Sequence, residues 1–344
     1  MSSKRNFKWI WKVLALWLVI SPAYAQRSNK SFMTIDPPGS NETQPFAVSP
    51  AGEIEPLYFT ADGAQENAGW TFTILDFPGA SDTTALGINN EGEIVGRYDA
   101  LGKRHGYIWS GNGFTTIDVP DAVFTVAFGL NDHGTIVGSY ISADGIRHVF
   151  SLSGDQFVTI DPPGTLIAAP VDINNRGEIV GSYMDQNLQP HGFLFREGGF
   201  TTIDAPDALQ TFSNAINDKG EIVGGFQGAD LKFRGYILRG DEFTIIDRPE
   251  DNSLNNAIGI NNEGSVVGRW AGRDAVVHGY VLRKGEFTAF DPPNRLQAPG
   301  EANGHEPHGI NEDGQVIGYF RGIDGRLHGY LLSRNNDDGG HDRE

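Results

Sequence analysis

The chain has 344 residues, with 44 Asp+Glu against 26 Lys+Arg for a formal charge of −18, and it contains no Cys. The missing Cys excludes disulfides. The acidic balance excludes nucleic acid and anionic lipid as partners, because both are held through clustered Lys and Arg. The length is ample for one closed core, whose stability must then come from packing alone.

At the start, Lys4, Arg5, Lys8 and Lys12 precede the apolar run from Val13 to Ile20, and Ser21-Pro22 and Ala23-Tyr24-Ala25 follow it. Basic, apolar and small-x-small segments in that order predict a secretory signal peptide over residues 1–25, cleaved near Ala25. The apolar run is shorter than the roughly 20 residues a membrane span needs. The expected product is secreted, periplasmic or extracellular, with no membrane attachment after cleavage. Cleavage removes four basic residues and leaves 22 Lys+Arg against 44 Asp+Glu. The acidity reads as a solubility device.

From there a word returns every forty-odd residues. Its first part is an aliphatic residue and Asn, at Asn89, Asn131, Asn174, Asn217, Asn261 and Asn311, with a worn copy at Val48-Ser49. Its last part is Phe-x-x-x-Asp, at Phe32–Asp36, Phe72–Asp76, Phe114–Asp118, Phe157–Asp161, Phe200–Asp204, Phe243–Asp247 and Phe287–Asp291. A period of this size, with several short β-rich runs per unit, predicts an all-β propeller of four-stranded antiparallel blades. In the first full unit the strands end at Asn89, run from Glu93 to Tyr98, from His105 to Trp109, and from Phe114 to Ile117.

The turns set the register. Asn89-Asn90-Glu91-Gly92 suits a type I turn closed by a left-handed Gly. A two-residue turn, such as Gly111-Asn112 or Lys284-Gly285, joins the third and fourth strands. Counting outward from it places His105 opposite Asp118, His148 opposite Asp161, His191 opposite Asp204, Arg234 opposite Asp247 and His278 opposite Asp291. These read as structural cross-strand pairs, because catalysis needs one constellation rather than one copy per blade.

The last unit, Ile310 to Leu332, lacks a fourth strand. The spacing predicts that Phe32–Asp36 supplies it, pairing His328 with Asp36 and closing seven blades over residues 31–333. The alternative is six blades closed by Phe72–Asp76, with residues 26–70 as an extension. Residues 334–344 are polar and Gly-rich and read as a disordered tail.

The triplets His105-Gly106-Tyr107, His148-Val149-Phe150, His191-Gly192-Phe193, His278-Gly279-Tyr280 and His328-Gly329-Tyr330 resemble those of the HAF family of bacterial extracellular repeats, named for its His-Ala-Phe word. The resemblance runs from about Phe32 to Leu332. No copy reads His-Ala-Phe, and Arg234-Gly235-Tyr236 departs at the His. The family implies an exported repeat protein and transfers no catalytic residue.

Ligand-binding residues are expected on the face that carries the longer connections between blades and between second and third strands. One connection is unusually long: Asn294 to His308, with Arg295, Glu301, Asn303, His305, Glu306 and His308. It reads as the candidate ligand loop at the channel mouth. Pro307 forbids the helix that a His-Glu-x-x-His metal motif needs, so no metal or cofactor is expected. The favoured function is a non-catalytic binding or scaffold protein, a monomer, whose partner is a glycan, a cell-wall polymer or an extracellular protein. The alternative is a polysaccharide hydrolase or lyase using this loop with Arg234 and Asp172.

Overall fold

The computed structural model describes residues 42–48, 54–59, 65–67, 70–165, 167–246, 254–271, 276–292 and 305–334. The strands form a β-propeller of six four-stranded antiparallel blades. The first blade comprises Asp82–Ile88, Ile94–Ala100, Lys103–Trp109 and Phe114–Ile117. Four more follow in sequence, with innermost strands Phe124–Leu130, Ile167–Ile173, Ala208–Ile216 and Asn255–Ile260. The sixth takes His305–Ile310, Val316–Arg321 and Leu327–Arg334 from the end of the chain and Trp70–Leu75 from near its start. Innermost strands of successive blades touch all the way round, the sixth meeting the first.

This corrects the expectation of seven blades. Trp70–Leu75 pairs with the last strand, placing Leu332 opposite Phe72 and Gly329 opposite Leu75. His328 Nδ1 accordingly lies 2.9 Å from Asp76. The partner expected for it, Asp36, lies outside the described residues. The worn hairpin does form, with Val48 opposite Ile54, but it makes no blade. Its strands Glu42–Val48 and Ile54–Phe59, followed by Gln65–Asn67, extend the sixth blade's sheet beyond Trp70–Leu75. The physical reason is that the segment after Phe59 offers only three strand residues and no His-Gly-aromatic word. A fourth strand next to it gains far more by pairing with the complete three-stranded sheet at the other end of the chain.

Two words of the repeat fit each other. The aromatic of the triplet is wholly buried at Tyr107, Tyr280 and Tyr330, and at Tyr236 of the Arg-Gly-Tyr copy. It sits opposite the Gly of the Val-Gly pair on the second strand, as Tyr107 opposite Gly96. A Cβ on Gly96 would lie 2.9 Å from the Tyr107 ring and 2.0 Å from the Thr84 carbonyl, so only Gly admits the ring. Each such ring contributes about 1.5–3 kcal/mol by burial. Its hydroxyl is satisfied on the innermost strand: Tyr107 donates to the Thr84 carbonyl at 3.2 Å and Tyr280 to Asn255 Oδ1 at 3.1 Å.

The cross-strand pairs hold the outer hairpins. His Nδ1 to Asp distances are 2.8 Å for His105–Asp118, 2.7 Å for His148–Asp161, 2.8 Å for His191–Asp204 and 2.7 Å for His278–Asp291. Each imidazole also stacks on an aromatic of the second strand, as on Tyr98 at 5.0 Å and Trp270 at 4.9 Å. In the fourth blade Arg234 grips Asp230 through both guanidinium nitrogens at 2.9 and 2.6 Å. Asp247 lies outside the described residues.

Candidate functional site: two mouths of one channel

At the mouth formed by the turns between first and second strands, the repeated Asn builds a closed ring. Asn131 Nδ2 donates to the Asn174 carbonyl at 3.0 Å, Asn174 to Asn217 at 3.1 Å, Asn217 to Asn261 at 3.1 Å and Asn261 to Asn311 at 3.0 Å. Asn311 returns to Asn89 at 3.3 Å. Each Asn is buried, and its Oδ1 accepts amides of its own turn, as Asn131 does from His133 at 3.1 Å and Thr135 at 3.0 Å. The next position alternates amide and acid around the ring: Asn90, Asp132, Asn175, Asp218, Asn262 and Glu312. Asn175 Nδ2 donates to Asp132 at 2.7 Å and to Asp218 at 3.0 Å. The amides therefore separate and satisfy carboxylates that would otherwise repel. This mouth is a structural clasp.

Inside the channel each innermost strand carries a bulge, and the residue after it is Gly87, Gly129, Ala215, Gly259 or Gly309 in five blades. Space dictates this, since a Cβ on Gly87 would lie 2.6 Å from the Phe128 carbonyl oxygen. The third blade places Asp172 there. Its carboxylate accepts the Ile216 amide at 3.0 Å. Burial pushes its pKa up to about 7 against the pull of the Ile216 and Ile173 amides, and Asp218 adds a little. Part of its surface still faces the channel.

The opposite mouth holds a recess of about 220 Å³ over the sixth, first and second blades. It is lined by Arg97, Arg104, Arg147, Glu306, His308 and Tyr319, with the apolar Leu86, Phe124, Val126 and Phe128. Leu86 and His308 line both the recess and the channel.

The recess is lined from two positions that vary from blade to blade. The residue after Val-Gly on the second strand faces the innermost strand at Thr84–Arg97, Val126–Ser139, Ala169–Ser182, Phe212–Gly225, Asn256–Arg269 and Glu306–Tyr319. It is Ser or Gly on three consecutive blades and Arg269, Tyr319 and Arg97 on the other three. The residue before the His or Arg of the triplet is Arg only at Arg104 and Arg147, on neighbouring blades. These departures gather at one mouth.

Charge there is unevenly paired. Asp99 is shared by Arg104, at 2.8 and 3.0 Å, and Arg97, at 3.1 Å. Glu306 pairs with Arg269 at 3.2 Å and accepts the Tyr319 hydroxyl at 2.7 Å. Burial opposes its ionisation, yet Arg269, His308 and that hydroxyl hold its pKa below the usual carboxylate range. His308 stacks on Tyr319 at 5.5 Å. Burial lowers its pKa against the pull of Glu306, and the charges of Arg269 and Arg97 add to the lowering. Arg147 donates to Ser139 Oγ at 3.2 Å and meets no carboxylate at ion-pair distance among the described residues. Burial, and then Arg104, lower its pKa. The guanidinium carbons of Arg147 and Arg104 lie 5.5 and 5.9 Å from the Phe124 ring centre.

Of the residues singled out from the long connection, Glu306 and His308 reach the recess. His305 does not. It is wholly buried, with Nε2 hydrogen-bonded to the Tyr330 hydroxyl at 2.9 Å. It occupies the position of Thr83, Thr125 and Asn255 in other blades. All three lie on the innermost strand His305–Ile310 rather than in a loop, with Pro307 at its bulge, where Pro is tolerated. Arg295, Glu301 and Asn303 lie outside the described residues. Sequence reasoning missed Arg97, Arg104, Arg147 and Tyr319. The signal was present as the two positions where the repeat changes residue type.

No family model matches the chain, and no curated protein matches it. Among solved structures, it is similar to a six-bladed fucose-recognising lectin of Aleuria aurantia at 12% identity and TM-score 0.49, over 76% of this chain and 98% of that one. It is also similar to virginiamycin B lyase of Staphylococcus aureus at 12% identity and TM-score 0.44, over 76% and 99%. A third is the gluconolactonase XC5397 of Xanthomonas campestris at 10% identity and TM-score 0.46, over 86% and 98%. Binding proteins and enzymes stand side by side among these neighbours, and none of them decides the function of this chain.

Proposed function

We propose that this is an exported, non-catalytic binding propeller of the His-Ala-Phe repeat type, whose ligand enters the recess between the sixth, first and second blades. One observation carries the reading. Residues at two positions that vary from blade to blade, Arg97, Arg104, Arg147 and Tyr319, converge on a single cavity. Variable residues on a rigid repeated frame are where binding specificity is placed. The ligand classes that fit are a glycan or cell-wall polymer, or an extracellular protein.

Binding is favoured over turnover by the state of the recess's groups. Among the described residues Glu306 is its one lining carboxylate, and Arg269 and Tyr319 favour its ionised form. Hydrolysis of a glycosidic bond needs two carboxyl groups facing one another with separated pKa values. A hydrolase or lyase on extracellular polysaccharide is the second reading. It draws on His308, whose pKa burial lowers, as a base and on Asp172 as a carboxyl that titrates near neutrality.

A glycan array read together with a polysaccharide turnover panel, on the chain lacking residues 1–25, tests the reading. The expected result is saturable binding without product, lost in Arg97→Ser. Product formation that depends on His308 would replace binding with the enzyme reading. Retention on cell-wall material that survives Arg97→Ser would move the site elsewhere.

A further inference from the structure

The recess also specifies the chemistry of what it holds. Arg147 is half-buried, and its guanidinium has a hydroxyl partner, Ser139, but no carboxylate among the described residues. Desolvating a guanidinium without a counter-charge is costly. Arg104 lies near the same Phe124 ring, close enough to lower the pKa of Arg147, and is itself tied edge-on to Asp99. Asp99 serves two arginines and Glu306 is matched by Arg269. Among the described residues the recess thus carries more guanidinium than carboxylate, inside a chain of net charge −18. A local positive field in an acidic protein is selective: it draws an anion to this mouth while the rest of the surface repels it.

The other walls narrow the class. Phe128 and Tyr319 are half-buried and offer ring surface to an apolar face. Glu306 accepts hydrogen bonds, as it does from Tyr319, and can take one from a sugar hydroxyl. The volume, about 220 Å³, suits a single sugar ring. We propose that the ligand is a carboxylate-bearing saccharide, a uronic acid unit of an acidic polysaccharide. Its carboxylate lies against Arg147 and Arg104, its ring C–H face lies on the aromatic wall, and a hydroxyl donates to Glu306. This inference rests on reading the recess as the binding site. The planar fork of Arg suits bidentate capture of a carboxylate, which an ammonium cannot reproduce.

Isothermal titration of the chain lacking residues 1–25 tests it with four ligands: an oligogalacturonate, the same oligosaccharide reduced at its carboxyl groups, a sulfated neutral galactan fragment, and free acetate. The oligogalacturonate is expected to bind with an affinity that falls as salt rises. Carboxyl reduction should cost at least about tenfold, and Arg147→Gln a similar factor, with an unchanged melting temperature. Arg147→Lys, which keeps the charge and loses the fork, should fall between. Equal binding of the reduced oligosaccharide, or preference for the sulfated fragment, would overturn the carboxylate assignment and leave the binding reading standing. Acetate binding as tightly as the oligosaccharide would overturn the saccharide part. Failure of every saccharide, with Arg147→Gln folded like the parent, would overturn both.

Discussion

The side-chain amide of Asn311 donates to the backbone carbonyl of Asn89 at 3.3 Å, across 222 residues of sequence. That bond joins the sixth blade to the first with no blade between them. The same seam carries Leu327 donating to Asp82 at 2.8 Å and the Arg326 guanidinium reaching the Ala80 and Ser81 carbonyls at 2.7 Å. Because each ring Asn is buried and satisfies its own turn as well as its neighbour, Asn131→Ala should cost about 1–3 kcal/mol. Chemical denaturation should show this as a lower midpoint with an unchanged slope.

The alternating outer ring makes a sharper expectation. Asn175→Asp places a third carboxylate between Asp132 and Asp218 and removes the donor that both accept. The melting temperature should drop several degrees at pH 7 and return toward the parent's in acid, as carboxylates take up protons. A drop that is the same in acid would mean that packing rather than charge separates these groups.

His328 answers to pH in the opposite sense. Burial works against its imidazolium, but hydrogen bonds to Asp76 and Asp324 outweigh it and raise the pKa. A raised folded-state pKa gives stability that is fully present below about pH 6.5 and is lost as pH climbs through the folded value. His328→Gln should therefore destabilise the protein more at pH 6 than at pH 9, read from thermal melts at both. An equal loss would show that the pair acts only as a neutral hydrogen bond.

Asp172 is a carboxyl whose folded pKa is raised to about 7. The folded state then binds more protons than the unfolded one between about pH 4 and 7, and stability falls as pH rises through that window. Asp172→Asn keeps an acceptor for the Ile216 amide and removes the charge. Its advantage over the parent should grow from pH 4 to 7 and level off above, measured by urea midpoints. A flat difference would contradict the buried-carboxyl account.

Leu188 has φ of 62° at the tip of an outer turn and a relative exposure of 65%. A branched side chain in the left-handed region is strained, and Asn tolerates it better. Leu188→Asn should raise the unfolding free energy by up to about 1 kcal/mol, checked by denaturant titration.

The turn chemistry made much of the fold legible. A two-residue turn fixes which residues of the flanking strands face one another, so strand pairing could be counted outward from Gly111-Asn112. Blade number was less accessible. Phe32–Asp36 and Phe72–Asp76 carry similar words, and only the missing third strand after Phe59 separates a blade from an edge extension. The site was harder still. His305 looks like a ligand in sequence, yet it takes the place of Thr83 and Thr125 beneath a buried Tyr. Arg97 and Arg147 look like noise in a repeat until the ring brings neighbouring blades together.

The most direct measurement compares two substitutions at the same repeat position on different blades, Arg97→Ser and Ser182→Ala, by titration with the ligand that the parent binds. Arg97→Ser should lose most of the affinity while Ser182→Ala keeps it, with both melting like the parent. Equal affinity in both variants would contradict a site built where the repeat breaks.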